Sequence, residues 1–313
     1  MKFSRRSFLM RAAGGAALVS PAARTSAQDD SAGKGQVGCL VDTTRCIGCR
    51  RCEEACNLRN LMPPPERPWT DPGVFDRVRR PDYRSLTVVN RYPGSPAAAL
   101  ASTPHTFSKF QCLHCLKPAC VSACIVGALT RSGDGSVVYN PGICVGCRYC
   151  MIACPFQIPA YEYAEPVHPL VRKCEFCADP KRGKGADPAC AAACPTEALV
   201  FGNREDLMKT ARARIAARPD LYLDHVYGER EAGGTSWLYL AGRPFAEIGL
   251  LPQPDRSPAV RTEAIQHGVY RYGLIPLAVY GLLGGLMWRS RRNRLPECPP
   301  GESSPAGTEE EGK

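Results

Sequence analysis

Cys144-Val145-Gly146-Cys147-Arg148-Tyr149-Cys150-Met151-Ile152-Ala153-Cys154-Pro155 is the stretch that decides how the chain is read. Its first three thiols stand two residues apart, so one loop can turn all three toward a single centre. The fourth, Cys154, follows Cys150 by about one turn of helix. Three more quartets share this character: Cys46, Cys49, Cys52 and Cys56; Cys112, Cys115, Cys120 and Cys124; and Cys174, Cys177, Cys190 and Cys194. Of the 18 cysteines, Cys39 and Cys298 alone stand outside a quartet.

Cysteine in such number has three chemical uses. Disulfide frameworks rarely repeat C-x2-C so regularly, and most belong to short chains. Zinc sites usually combine two C-x2-C pairs or add histidine. C-x2-C-x2-C-x3-C-P is the run that holds a [4Fe-4S] cluster in bacterial ferredoxins, where the fourth thiolate serves a neighbouring cluster. All sixteen quartet positions are cysteine, so four [4Fe-4S] clusters are expected. By the ferredoxin exchange rule, Cys46, Cys49 and Cys52 take Cys194, and Cys174, Cys177 and Cys190 take Cys56. Cys112, Cys115 and Cys120 take Cys154, and Cys144, Cys147 and Cys150 take Cys124.

The quartets are themselves a repeat. Cys46, Gly48, Cys49, Arg50, Cys52, Ala55 and Cys56 match Cys144, Gly146, Cys147, Arg148, Cys150, Ala153 and Cys154. Pro118-Ala119-Cys120 and Cys124 match Pro188-Ala189-Cys190 and Cys194. A two-cluster unit has been duplicated. The fold class expected is α+β: duplicated bacterial-ferredoxin-like two-cluster units, loop-rich, with one C-terminal transmembrane helix.

The 313 residues are 44% apolar, enough for a core, with 29 Gly and 29 Pro setting many turns. The formal charge of +10 misleads about partners. Residues 1–27 carry Lys2, Arg5, Arg6, Arg11 and Arg24 and no acid; without them the balance is about +5. Four oxidised cubanes at about −2 each bring the holoprotein near −3. The basic residues mostly offset the clusters, and no nucleic-acid partner is expected.

Ser4-Arg5-Arg6-Ser7-Phe8-Leu9-Met10 resembles a twin-arginine export signal, which assigns residues 1–27 to a signal peptide. Residues 28–203 form the four-cluster domain, with an insertion at 57–111 of the kind where partner contacts often sit. Within it Arg84 to Tyr92 reads as a strand and 93–106 as loop. Residues 37–42 read as a strand, and Cys39 on it as a small buried residue. His114, inside Cys112-x-x-Cys115, reads as a neighbour of the ligands or a surface group. The segment 204–258 is a helix and strand extension ending in a linker at 252–258. Its helix, Asn203 to Arg218, has Asn203 as cap and Leu207, Ala211 and Ile215 as apolar stripe; its strand runs from Thr235 to Leu240.

Residues 259–294 are expected to form a membrane anchor, with a span over 269–288 followed by Arg289, Arg291, Arg292 and Arg294. Tyr270, Tyr272 and Trp288 suit the interfaces, and the arginines set the cytoplasmic side. Gly281 and Gly285 could seat a partner helix. Residues 295–313 read as a disordered tail. The one G-x-G-x-x-G, Gly33 to Gly38, runs into the strand at 37–42 instead of following a strand and opening a helix, so it is no nucleotide-binding signal, and no cysteine is poised beside a catalytic base. The chain is therefore expected to carry electrons and transform no substrate itself.

Quartet order, signal and single anchor together resemble the four-cluster electron-transfer subunits of membrane oxidoreductases, and among them the HybA-type subunit of membrane-bound [NiFe] hydrogenases. Besides the run at 144–155, the match is carried by Lys173-Cys-Glu-x-Cys177, Phe201-Gly-x-Arg-Glu-x-Leu-Met208, Tyr227-Gly-Glu-x-Glu231, Gly233-Gly-Thr235, Arg261-x-Glu-x-Ile-Gln-His267 and Leu274-x-Pro-Leu-Ala-Val279. The resemblance implies electrons arriving from hydrogenase large (NiFe) and small (iron–sulfur) subunits and leaving to an integral membrane subunit that reacts with quinone. It places the cluster domain on the periplasmic side of the inner membrane. His267, just before the anchor and within a matched stretch, reads either as a group near that exit or as a structural residue. The alternative is the equivalent subunit of a molybdopterin oxidoreductase, of the formate dehydrogenase, polysulfide or sulfoxide reductase type.

Overall fold

Strand β1, Val37–Asp42, is built from alternating faces, and both are buried. In the computed structural model it pairs antiparallel with β8, Leu199–Asn203, and parallel with β9, Trp237–Leu240. The order β8-β1-β9 thus joins the two ends of the cluster region in one sheet. Cys39 and Val41 share one face with Trp237 and Tyr239; Leu40 shares the other with Leu238 and Leu240, as period-2 geometry requires.

Onto the second face packs the helix Arg204–Ala217 through Leu207, Ala211 and Ile215. Asn203 caps it, its side chain accepting from the Glu205 N–H at 2.9 Å. Burying Leu207 and Ile215 stabilises the contact by roughly 1.5–3 kcal/mol each. Asp42, fully buried at the end of β1, is held by Arg214 and the Tyr222 hydroxyl, each at 2.8 Å.

The described residues are 35–94, 104–165, 169–178, 187–260, 262–265 and 274–292. The expected signal, His267, Cys298 and the tail lie outside them. The chain divides into two compact units, Met1–Val260 and Arg261–Lys313.

Within the first unit the remaining elements are short. Helix α1 is Arg51–Arg59. Strands β2, Val88–Pro93, and β3, His105–Phe110, form a hairpin. Next come α2 (Ala119–Ser122), β4 (Leu129–Arg131), β5 (Val137–Tyr139), α3 (Tyr149–Ala153), β6 (Ala160–Tyr161), β7 (Val171–Arg172) and α4 (Ala189–Ala192). The Arg204–Ala217 helix is α5. Strands β4 and β5 pair, as do β6 and β7.

Several expectations change here. The loop expected over 93–106 gives Pro93, His105 and Thr106 to the hairpin, because β3 continues the alternation of its partner. The segment 57–111 is therefore part of the cluster unit, with Val88, Val89, Phe107 and Phe110 buried. The strand expected from Thr235 begins at Trp237; Thr235 instead makes an isolated bridge to Cys115. The linker at 252–258 is docked: the Pro254 carbonyl accepts from the Ala232 N–H at 2.8 Å, and the Ser257 hydroxyl donates to the Lys117 carbonyl at 2.6 Å.

In the second unit, α6 spans Leu274–Arg292. Among the described residues no helix is long and apolar enough to cross a membrane. The basic residues Arg289, Arg291 and Arg292 occupy the end of α6, and residues 269–273, expected to open the span, lie outside the described residues.

Candidate metal centres

Each C-x2-C-x2-C loop turns on two left-handed residues. Gly48 and Arg50 have φ of 72° and 60°; Gly146 and Arg148 have 69° and 61°. The duplication seen in sequence is thus repeated in the backbone. Arg50 and Arg148 then occupy the N-cap positions of α1 and α3; α1 carries Cys52 and Cys56, while α3 carries Cys150 and ends just before Cys154.

Helix α1 packs against α4, and α2 against α3. This crossing delivers each fourth cysteine to another quartet. One cavity is lined by Cys46, Cys49, Cys52 and Cys194. A second is lined by Cys56, Cys174, Cys177 and Cys190. Around Cys115 stand Cys112, Cys154 and Cys120; around Cys150 stand Cys124, Cys144 and Cys147. Every described cysteine is a free thiol, Cys39 included.

The electrostatics show what these sets need. Burial pushes the Cys46, Cys56 and Cys120 thiols up to about 12 and Cys150 to about 11. Neighbouring thiols push in the same direction: Cys194 and Cys49 on Cys46, Cys190 and Cys177 on Cys56. Four buried thiolates repel one another unless a cationic core neutralises them. Among the described residues no three Cys, His, Asp or Glu side chains converge closely enough to hold a single metal ion. Thiolates at about 2.3 Å from one zinc would have to touch; these sets surround space, and they fit a cluster.

Sulfur is also hydrogen-bonded. Cys124 Sγ accepts from the Ala128 N–H at 3.1 Å, Cys174 Sγ from Phe176 N–H at 3.4 Å and Cys144 Sγ from Gly146 N–H at 3.5 Å. Such bonds stabilise charge on sulfur and tune a cluster's potential.

His114 is fully buried, not a surface group. Its Nδ1 accepts from the Val137 N–H at 2.9 Å, and its ring lies 4.4 Å from that of Phe176. Burial, then Lys173, hold it well below the usual histidine range, so it braces two loops as a neutral ring.

Three buried charged groups stand near the thiols, of which the sequence reading named only Lys173, as part of a matched stretch and with no role. Glu53 on α1 is clamped by Arg50 at 3.2 Å and Arg79 at 2.7 Å. Lys173 donates to the carbonyls of Val137 and Cys174. Lys109 lines the first two cavities together. The signal for Lys109 was its place in the alternation of β3, visible only once 105–110 is taken as a strand.

Fold and thiol sets define an iron–sulfur protein of the ferredoxin class. Residues 104–204 match the 4Fe-4S dicluster domain. A protein of Nitratidesulfovibrio vulgaris is 52% identical over 69% of this chain, which spans only 57% of that relative's length. The hydrogenase-2 operon protein HybA of Escherichia coli O157:H7 is 34% identical, over 93% of this chain and 96% of its own. The iron–sulfur subunit of the nitrate-inducible formate dehydrogenase of Escherichia coli strain K12 is 30% identical, over 80% and 82%. The chain belongs to this family of iron–sulfur electron-transfer subunits of oxidoreductase complexes.

Proposed function

We propose that this protein relays electrons from a periplasmic [NiFe] hydrogenase to an integral membrane subunit that reacts with quinone. The observation that carries the reading is the similarity to HybA along almost the full length of both chains. Cys46, Cys49, Cys52 and Cys194 would hold one [4Fe-4S] cluster; Cys174, Cys177, Cys190 and Cys56 a second. Cys112, Cys115, Cys120 and Cys154 would hold a third; Cys144, Cys147, Cys150 and Cys124 a fourth. Clusters of this kind, when bound, take up and release single electrons. The chain's own part is to hold them in line, exclude water through residues such as Trp237 and Phe176, and aim N–H groups at sulfur. Export through residues 1–27 and anchoring through 269–288 complete the proposal, and the arginines after the span keep the cluster domain on the periplasmic side.

A second reading, the same relay serving a molybdopterin enzyme, is favoured by the formate dehydrogenase relative. Metal analysis after anaerobic purification separates them, with nickel and molybdenum read on the native complex and iron and sulfide on this chain separated from it. About sixteen irons and as many sulfides per chain, with nickel in the complex, supports the hydrogenase assignment. Molybdenum or tungsten in place of nickel removes it, and four irons or fewer removes the relay.

A further inference from the structure

The buried cation Lys109 separates the two halves of the duplication. It is 2% exposed, yet among the described residues no carboxylate pairs with it. Its Nζ donates to Gln111 Oε1 at 2.8 Å and sits 4.5 Å from the centre of the Trp237 ring. Gln111 in turn donates to the Tyr239 hydroxyl at 2.7 Å, which donates to the Lys109 carbonyl at 2.9 Å. The ammonium is fixed by a closed set of neutral groups.

A buried ammonium without a counter-charge is costly. The groups facing it are cysteines of both adjoining sets, since Lys109 lines one cavity with Cys56, Cys174 and Cys190 and the other with Cys46, Cys52 and Cys194. The buried acid on α1, Glu53, is already neutralised by Arg50 and Arg79.

The other half of the repeat differs here. Lys109 stands three residues before Cys112, and Val171 three before Cys174. Each lies on the strand leading into its quartet. Lys109 faces Cys52, Cys56, Cys174 and Cys190; Val171 packs among Cys120, Cys124, Cys144 and Cys150. The positions are therefore equivalent, with a cation at one and an isopropyl group at the other. Lys173 also adds charge, but at Cys120 on the side of the second set.

We propose that Lys109 is a positioning charge shared by two cluster sites, which makes the pair held by the first and fourth quartets easier to reduce than the pair held by the second and third. One-electron reduction adds one negative charge to a site and breaks no bond, so a fixed cation nearby favours the reduced form. The inference rests on clusters occupying these cavities; it does not depend on which enzyme supplies the electrons.

EPR-monitored redox titration of the anaerobically purified full chain, with dithionite as reductant, tests it. In the unaltered protein, the signal changed by Cys49→Ser belongs to the higher-potential pair; finding it in the lower pair overturns the proposal. In Lys109→Met or Lys109→Gln, two of four midpoints fall by at least tenfold in the reduction equilibrium, about 59 mV for one electron. The other two stay, and Lys109→Arg keeps all four. A variant with full iron content and no selective shift, or an equal shift of all four clusters, sinks the idea while leaving the relay intact. Absence of clusters from the unaltered chain sinks both.

Discussion

At the scale of single residues, the duplicated loops look alike but tolerate change differently. Gly48 and Gly146 both sit at positive φ, where any side chain costs about 1–2 kcal/mol. A Cβ on Gly48 would lie 2.4 Å from the Phe107 ring, whereas on Gly146 it would meet the Tyr161 hydroxyl at 3.1 Å. Overpacking adds about 1–3 kcal/mol, so Gly48→Ala should lower the thermal midpoint of the holoprotein clearly more than Gly146→Ala. Equal shifts in a melting experiment would show that the hairpin bearing Phe107 yields freely. Cys39 tells a related story. It stands seven residues before Cys46, as Val137 stands seven before Cys144, and both are buried. Cys39 fills a valine's place, which is why it belongs to no thiol set.

Among the elements, α5 is the one with a job apart from the thiols. Its apolar stripe faces Leu40, Leu238 and Leu240, on the sheet face opposite Cys39 and Trp237. Leu207→Ala should cost about 2–5 kcal/mol, and loss of the Asn203 cap in Asn203→Ala about 1 kcal/mol. Both variants should melt earlier while their low-temperature EPR spectra, once loaded, match the parent. A changed cluster spectrum in either would mean that α5 reaches the sites through the sheet. The short helices behave differently. Because α1 packs on α4 and α2 on α3, a change in any one of them should reach two thiol sets.

For the molecule as a whole, the division at Val260 sets the expectation for anchoring. Under the proposed topology, the full chain should resist carbonate extraction from membranes. A chain ending at Val260 should be extracted with its iron content unchanged. Retention of the shortened chain would place the attachment in a partner or in the first unit. The thiol sets and the sheet both lie in that first unit, since β1, β8 and β9 draw together residues from 37 to 240.

Much of this was legible in the residues alone. Cysteine spacing is a covalent fact, and thiols two and three apart must share a loop or a helical turn whatever surrounds them. The cysteine quartets, the duplication, the capped helix after Asn203 and the strand at Val37 followed from such local geometry. Tertiary structure decided the rest. That the segment 57–111 supplies a hairpin to the cluster unit, that His114 is sealed inside, and that Lys109 faces two thiol sets at once depend on contacts between residues far apart in the chain. Local propensity carries no record of those contacts, because they arise only when the helices cross and the hairpin closes over them.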